Sequence, residues 1–198
     1  MKWRILLLIP FLTFSQPLVP TRMFTKSVYH YYLPLVRRNM ASQGPNFPST
    51  GADDATAGTV AWSNPGRIVA EDGVLSVAAF PGGPAVFTTH YLKGTGFGFA
   101  IPSPAAITGI LLEIRERMIL VGGNSASDNT VQLLKAGSAV GANKATGSWT
   151  VGLIHYVSYG GSSDLWSTTW TPSDINNANF GAWLNVDGDV SALGTVAL

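Results

Sequence analysis

The sequence predicts an all-β domain, an antiparallel β-sandwich of jelly-roll-like type, behind an apolar N-terminal and linker segment. Three observations point there. From Thr59 onward, short apolar runs are broken by Gly, Pro, Asn and Asp, and no apolar repeat of helical period persists over eleven residues. Gly (22) and Pro (12) are frequent, which favours turns over long helices. The longest apolar run, AITGILLEIRERMILV (106–121), alternates: Ile110, Leu112, Ile114 and Glu116 fall on one face and Leu111, Glu113, Arg115 and Arg117 on the other. A mostly apolar face against a mostly charged one marks a strand buried on one side. The same run could wind as a helix, with Glu113 and Arg117 four residues apart. Pro102, Pro104 and the β-branched Ile107 and Thr108 favour the strand.

The chain opens with MKWRILLLIPFLTFSQPLVP. A basic start, an apolar stretch over 5–14 and small residues at Thr13 and Ser15 have the layout of a secretory signal, ending near residue 15. The alternative is an apolar arm that docks on a partner. A stable membrane span is not expected, because about ten apolar residues fall short of the roughly 20 a bilayer requires and Pro10 breaks a helix. Residues 16–58 read as a linker, Ser-, Gly- and Pro-rich in its second half, with VYHYYLPLV (28–36) suited to supply an extra strand. Residues 59–198 are the expected sandwich.

Within it, Asp72-Gly73 makes a turn before a strand at 74–80, and Gly82-Gly83-Pro84 precedes another at 85–92. GTGFGFAIP sets Phe97 and Phe99 on one face, with its glycines as strand positions across which aromatics pack. A hairpin follows, 129–135 and 138–144, about Ala136-Gly137. Trp149, Val151, Leu153, His155, Val157 and Tyr159 share one face of the next strand, and two more flank an expected turn at Asp187-Gly188-Asp189. The one helical segment expected is TPSDINNA, with Thr171 as cap and Pro172 at the first helical position.

Composition excludes several functions. There is no Cys, hence no disulfide, thiolate metal site or Cys nucleophile. Only 12% of residues are charged, against about 25% in a typical domain. Residues 1–40 hold six bases and no acid; the remainder holds six bases and all eleven acids, without a basic run. Nucleic acid is therefore not an expected partner. His30, His90 and His155 stand apart and belong to no catalytic or zinc motif. Glu113 and Glu116 point to opposite faces of a strand and cannot flank one glycosidic bond. The reading is of a protein that is not an enzyme and needs no cofactor. Asp187 and Asp189 are weak calcium candidates, since two side chains fall short of the six to eight oxygens calcium takes.

The candidate ligand-binding residues lie mainly in YGGSSDLWSTTWTPSDINNANFG (159–181). Trp166 and Trp170 sit four apart among Gly, Ser, Thr, Asp and Asn. Two roles are open to them. They could plug one end of the fold, each burying about 200 Å². They could instead stack on a sugar, with Tyr159, Asp164 and Asn176 beside them and Asn177 as a further hydroxyl partner. Trp62, in AWSNP, carries the same ambiguity.

AWSNP, DG, GFGFAIP, ITGI, DNTVQLLKAG, VGANKAT and the 159–181 stretch occur in that order. Together they resemble a β-sandwich module of tailed-phage minor structural proteins and of some bacterial surface or secreted proteins, over about 59–181. The resemblance implies a non-enzymatic structural or adhesive role, outside the cell or on a virion. The partners it implies are further copies or other structural subunits; a glycan is the alternative. Modules of this type usually carry one more strand after the last Gly-rich turn. The sequence here reaches GTVAL at 194–198, so the expectation is a fragment or a strand supplied from elsewhere, with 28–36 as the candidate donor.

Overall fold

A computed structural model of the chain describes residues 2–13, 37–81, 85–119, 125–152, 154–190 and 194–197. The strands are β1 (Lys2–Thr13), β2 (Arg37–Asn46), β3 (Thr50–Asp54), β4 (Trp62–Ser63), β5 (Val77–Phe80), β6 (Ala85–Thr88), β7 (Tyr91–Thr95), β8 (Gly109–Glu116), β9 (Ser125–Lys135), β10 (Ser138–Val140), β11 (His155–Gly161), β12 (Gly181–Val190) and β13 (Gly194–Ala197). A 3₁₀ turn (Pro65–Val69) and one short helix, α1 (Pro172–Asn176), complete the described elements.

The strands form antiparallel sheets, as the alternation predicts. One has the order β11-β8-β1-β2; a larger one runs β10-β9-β12-β7-β3, with β6 also paired to β12; a small one runs β13-β5-β4. A single apolar core joins the first two. Ile110, Leu112 and Ile114 of β8 are fully buried, as are Leu92, Val131, Leu133, Ala182, Leu184 and Val186 of the larger sheet. Leu111, Glu113 and Arg115 face outward and are half-buried. The helix alternative for 106–121 therefore gives way to a strand.

Sheet residues begin at Lys2, not at Thr59. The stretch read as a leader or docking arm forms β1, and the stretch read as linker contributes β2 and β3. The physical reason is a period of two within the opening residues. Trp3, Ile5 and Leu7 are all 0% exposed and face the core, opposite Ile114, Leu112 and Ile110 of β8. Arg4 and Leu6 fall on the other face, opposite Glu113 and Leu111. The proposed donor strand at 28–36 lies outside the described residues, as does His30.

Three smaller differences follow. The run 85–92 divides into β6 and the start of β7, both paired to β12. No turn forms at Asp187-Gly188-Asp189: β12 passes straight through it, and Gly188 presses on the Phe80 ring, where a Cβ would meet ring carbons at 2.7 Å. Gly96 and Gly98 are loop residues with φ of 73° and 65°, not strand positions, though Phe97 and Phe99 are both buried as expected. The hairpin about Ala136-Gly137 forms, though its second arm ends at Val140 and not at 144; both turn residues have positive φ, 49° and 89°.

Candidate functional site

The 159–181 stretch closes one end of the sandwich. Asp164 starts it. Its Oδ1 accepts from the Trp166 backbone N–H at 2.7 Å and its Oδ2 takes the Lys144 ammonium at 2.7 Å. The hydrogen bond from Lys144, with lesser help from the Trp166 N–H, holds this carboxyl below its ordinary range. Trp166 and Ser167 adopt positive φ, 58° and 57°, an unusual conformation for non-glycine residues. This turns the Trp166 ring inward, where it is 0% exposed and its Nε1 donates to the Ile110 carbonyl at 3.0 Å. Trp170 is buried too: its Nε1 donates to Leu165 O at 3.0 Å and its ring meets Phe180 edge-on at 5.5 Å. Lys135 lies over the Trp170 ring and pairs with Asp174 at 3.1 Å. Thr171 and Asp174 form a reciprocal capping box on α1, with Pro172 in its first turn.

These contacts decide where the candidate ligand residues stand. Trp62 is 3% exposed, its Nε1 donating to His90 O at 2.8 Å. Trp62, Trp166 and Trp170 thus have their rings inside the fold, and stacking on a pyranose requires an open ring face. Tyr159, 3% exposed, donates its hydroxyl to Asp128 Oδ2 at 2.7 Å. Asn176 clips the loop before β8: its Oδ1 accepts from the Ile101 N–H at 2.7 Å and its Nδ2 donates to Ile101 O at 2.9 Å. It is also exposed, on a shallow depression lined by Ile101, Ser103, Pro172, Ser173 and Asn177. Of the six candidates, Asn176 is exposed, Asp164 is half-buried and the four rings are buried. Asn177 uses its Oδ1 on the Asn179 N–H.

The weak metal candidates are strand residues, not loop ligands. Asp187 is taken up by Thr88 Oγ1 at 2.6 Å and Asn129 Nδ2 at 2.7 Å, and Asp189 lies exposed further along β12. Among the described residues, no group of three or more His, Asp or Glu could hold a metal ion. Glu113 and Glu116 do diverge: Glu113 pairs outward with Arg4, and Glu116 turns inward. His90 Nδ1 sits 2.8 Å from Asp53 Oδ2.

No family model matches this chain. No curated protein and no solved structure matches it either.

A buried polar group lies under the end of β8. Glu116 is 3% exposed, with His155 Nε2 3.5 Å from its Oε1 and, among the described residues, no partner for its Oε2. Burial, reinforced by the nearby charge of Asp128, pushes its carboxyl up to about 8. Asp128 is also raised by burial, against hydrogen bonds from Trp149 Nε1 at 2.8 Å and Tyr159. Burial and the Asp128 charge push the Tyr159 hydroxyl upward as well, so it stays a donor. The alternation itself placed Glu116 on the apolar face, and that was the available signal.

Proposed function

We propose that this chain is a non-enzymatic structural module of an extracellular or virion assembly, self-associating or decorating through strand edges. The observation that carries this reading is the side of β11 with which no described strand pairs. This strand ends its sheet, paired to β8 alone among the described strands. Its sequence, HYVSYGG, has no Lys, Arg, Asp, Glu or Pro. Charge, proline and cover are the usual devices that keep an edge from pairing with another chain. Three other edges, those of β2, β3 and β10, are covered, charged or very short. β2 is capped where Gln43 bonds both backbone groups of Ala100 and Asn46 bonds Phe97 O. β3 carries Asp53 and Asp54, and β10 has only three residues. Exposed Val86 (66%) on β6 and the low charge of the chain support the same reading, as does the motif resemblance to phage and surface modules.

Light scattering across a concentration series tests it. The expected result is concentration-dependent association that a lysine at Val157 or Ser158 of β11 reduces. A chain that stays monomeric to about 1 mM, the effective concentration typical of tethered partners, contradicts it.

The second reading, a glycan-binding adhesion module, is supported by the open depression at Asn176 rather than by the tryptophans. A glycan array separates the two: binding abolished in Asn177→Ala, with unfolding unchanged, favours the second.

A further inference from the structure

We propose that β1 is an exchangeable strand, seating residues 2–13 of one copy between β8 and β2 of a second copy. The inference rests on the assembly reading and names its element and its partner. Among the described strands, β8 and β2 are joined only through β1. Lys2 to Leu8 pair with β8, and Ile5 to Thr13 pair with β2. Without β1, two ladders lie open and Ile110, Leu112 and Ile114 lose the apolar side chains of Leu7, Ile5 and Trp3 beside them. The slot must be filled, and what fills it is recognised by contacts that come wholly from distant parts of the chain. Trp3 packs over Gly94, whose Cβ position would lie 2.8 Å from the ring. Arg4 grips Glu113 with two bonds, Nε to Oε2 at 2.7 Å and Nη2 to Oε1 at 3.2 Å, and its guanidinium lies 4.4 Å from the Tyr156 ring centre. A second copy offers the same contacts unchanged.

The connection points to exchange. Thr13 pairs directly with Arg37. Two residues suffice to join strands so placed, yet residues 14–36 intervene. Extended, a segment of that length spans up to about 80 Å, enough to deliver β1 to a neighbouring molecule. Since contacts in cis and in trans are alike, concentration decides between them. A covalent tether of this length supplies an effective concentration in the millimolar range. Free chains therefore keep β1 in cis, and copies crowded on a particle, or already joined at β11, exchange it.

Charge reversal in full-length chains tests this. Arg4→Glu and Glu113→Arg each set like charges opposite one another. When the two variants are refolded together, reciprocal exchange seats the introduced glutamate against the introduced arginine in one slot. In the other slot it seats the natural Arg4 against the natural Glu113. No other arrangement opposes unlike charges in both slots. The expected result is heterodimer at least about tenfold above the dimer of either variant alone. A mixture that behaves as the average of its parts overturns the proposal. Should the charge variants fold poorly, single Leu6→Cys and Leu111→Cys chains serve instead. These positions are directly opposite, and the protein has no other Cys. A disulfide heterodimer from the mixed singles supports exchange, and its absence at millimolar concentration overturns it. The double variant, closed as an internal disulfide, locks β1 in cis. If the locked chain assembles as the natural one does, exchange is refuted and association at β11 stands. If neither assembles, the assembly reading falls too.

Discussion

β1 and the tryptophan cap both cover the core with apolar side chains, and they do so by opposite means. The cap is knit from within. Asp164 fixes the turn, Trp166 and Trp170 each find a carbonyl, the capping box closes α1, Lys135 ties the cap to β9, and Lys144 ties it to the loop after β10. β1 is held by its two ladders, by Arg4 on Glu113, and by shape. Its Trp3 Nε1 is buried with no partner among the described residues. A locally bonded lid tolerates no change of chemistry but is anchored in place. A strand held by backbone ladders accepts changes of chemistry at its rings and depends on keeping its face apolar.

The largest expected effect attacks that dependence. Ile5→Asp places an unpaired carboxylate in the core and should cost more than about 4 kcal/mol, seen as loss of the cooperative urea transition. Trp166→Ala should follow at about 3–5 kcal/mol, with loss measured in the same transition. If it costs under about 0.5 kcal/mol, the ordinary range of a surface change, the cap is not a seal.

The third test concerns the end of β8, just beyond the last pairing of β1. Glu116 keeps its proton in the folded state up to about pH 8, whereas the unfolded chain releases it near 4.5. The folded state therefore binds more protons across that window. Stability should fall as pH rises from about 4.5 to 8, by at most about 1.4 kcal/mol per unit, and then level off. Glu116→Gln should remove this slope and gain on the order of 2 kcal/mol at pH 8, read from urea midpoints at several pH values. Asp128, also raised, adds a slope of the same sign that survives the substitution.

The smallest effects compare the rings directly. Trp166→Phe removes the donor that the Ile110 carbonyl accepts from and should cost about 1–3 kcal/mol. Trp3→Phe sheds an N–H that has no partner among the described residues, along with some volume, and the two changes offset to within about 1 kcal/mol. Equal costs for the two would erase the distinction drawn between the regions.

The two regions were also unequally legible in the sequence. Asp164, Thr171, Pro172 and the Gly-rich flanks announced turns and a capped helix, because those residues act on the backbone beside them. Period two along Ile110 to Glu116 announced β8. In β1 the same alternation is present as Trp3, Ile5 and Leu7 against Lys2, Arg4 and Leu6. The unbroken apolar run from Leu6 to Phe11 hid it, since a strand paired on both sides and an export signal share that composition. The role of Asp128 could not be read either, because its partners Trp149 and Tyr159 come from other parts of the chain. The turn expected at Asp187-Gly188-Asp189 failed because Gly188 serves the Phe80 ring, a contact from a distant strand.

Native-state amide hydrogen exchange at residues 5–8 tests most directly whether β1 is an inner strand. Outside the irregularity between Ile5 and Leu7, where the ladder to β2 shifts register, its successive amides should be protected to near the global unfolding free energy. Those of the edge strand β11 should alternate between slow and fast. Exchange of 5–8 at the rate of an open chain, with β8 still protected, would contradict the account.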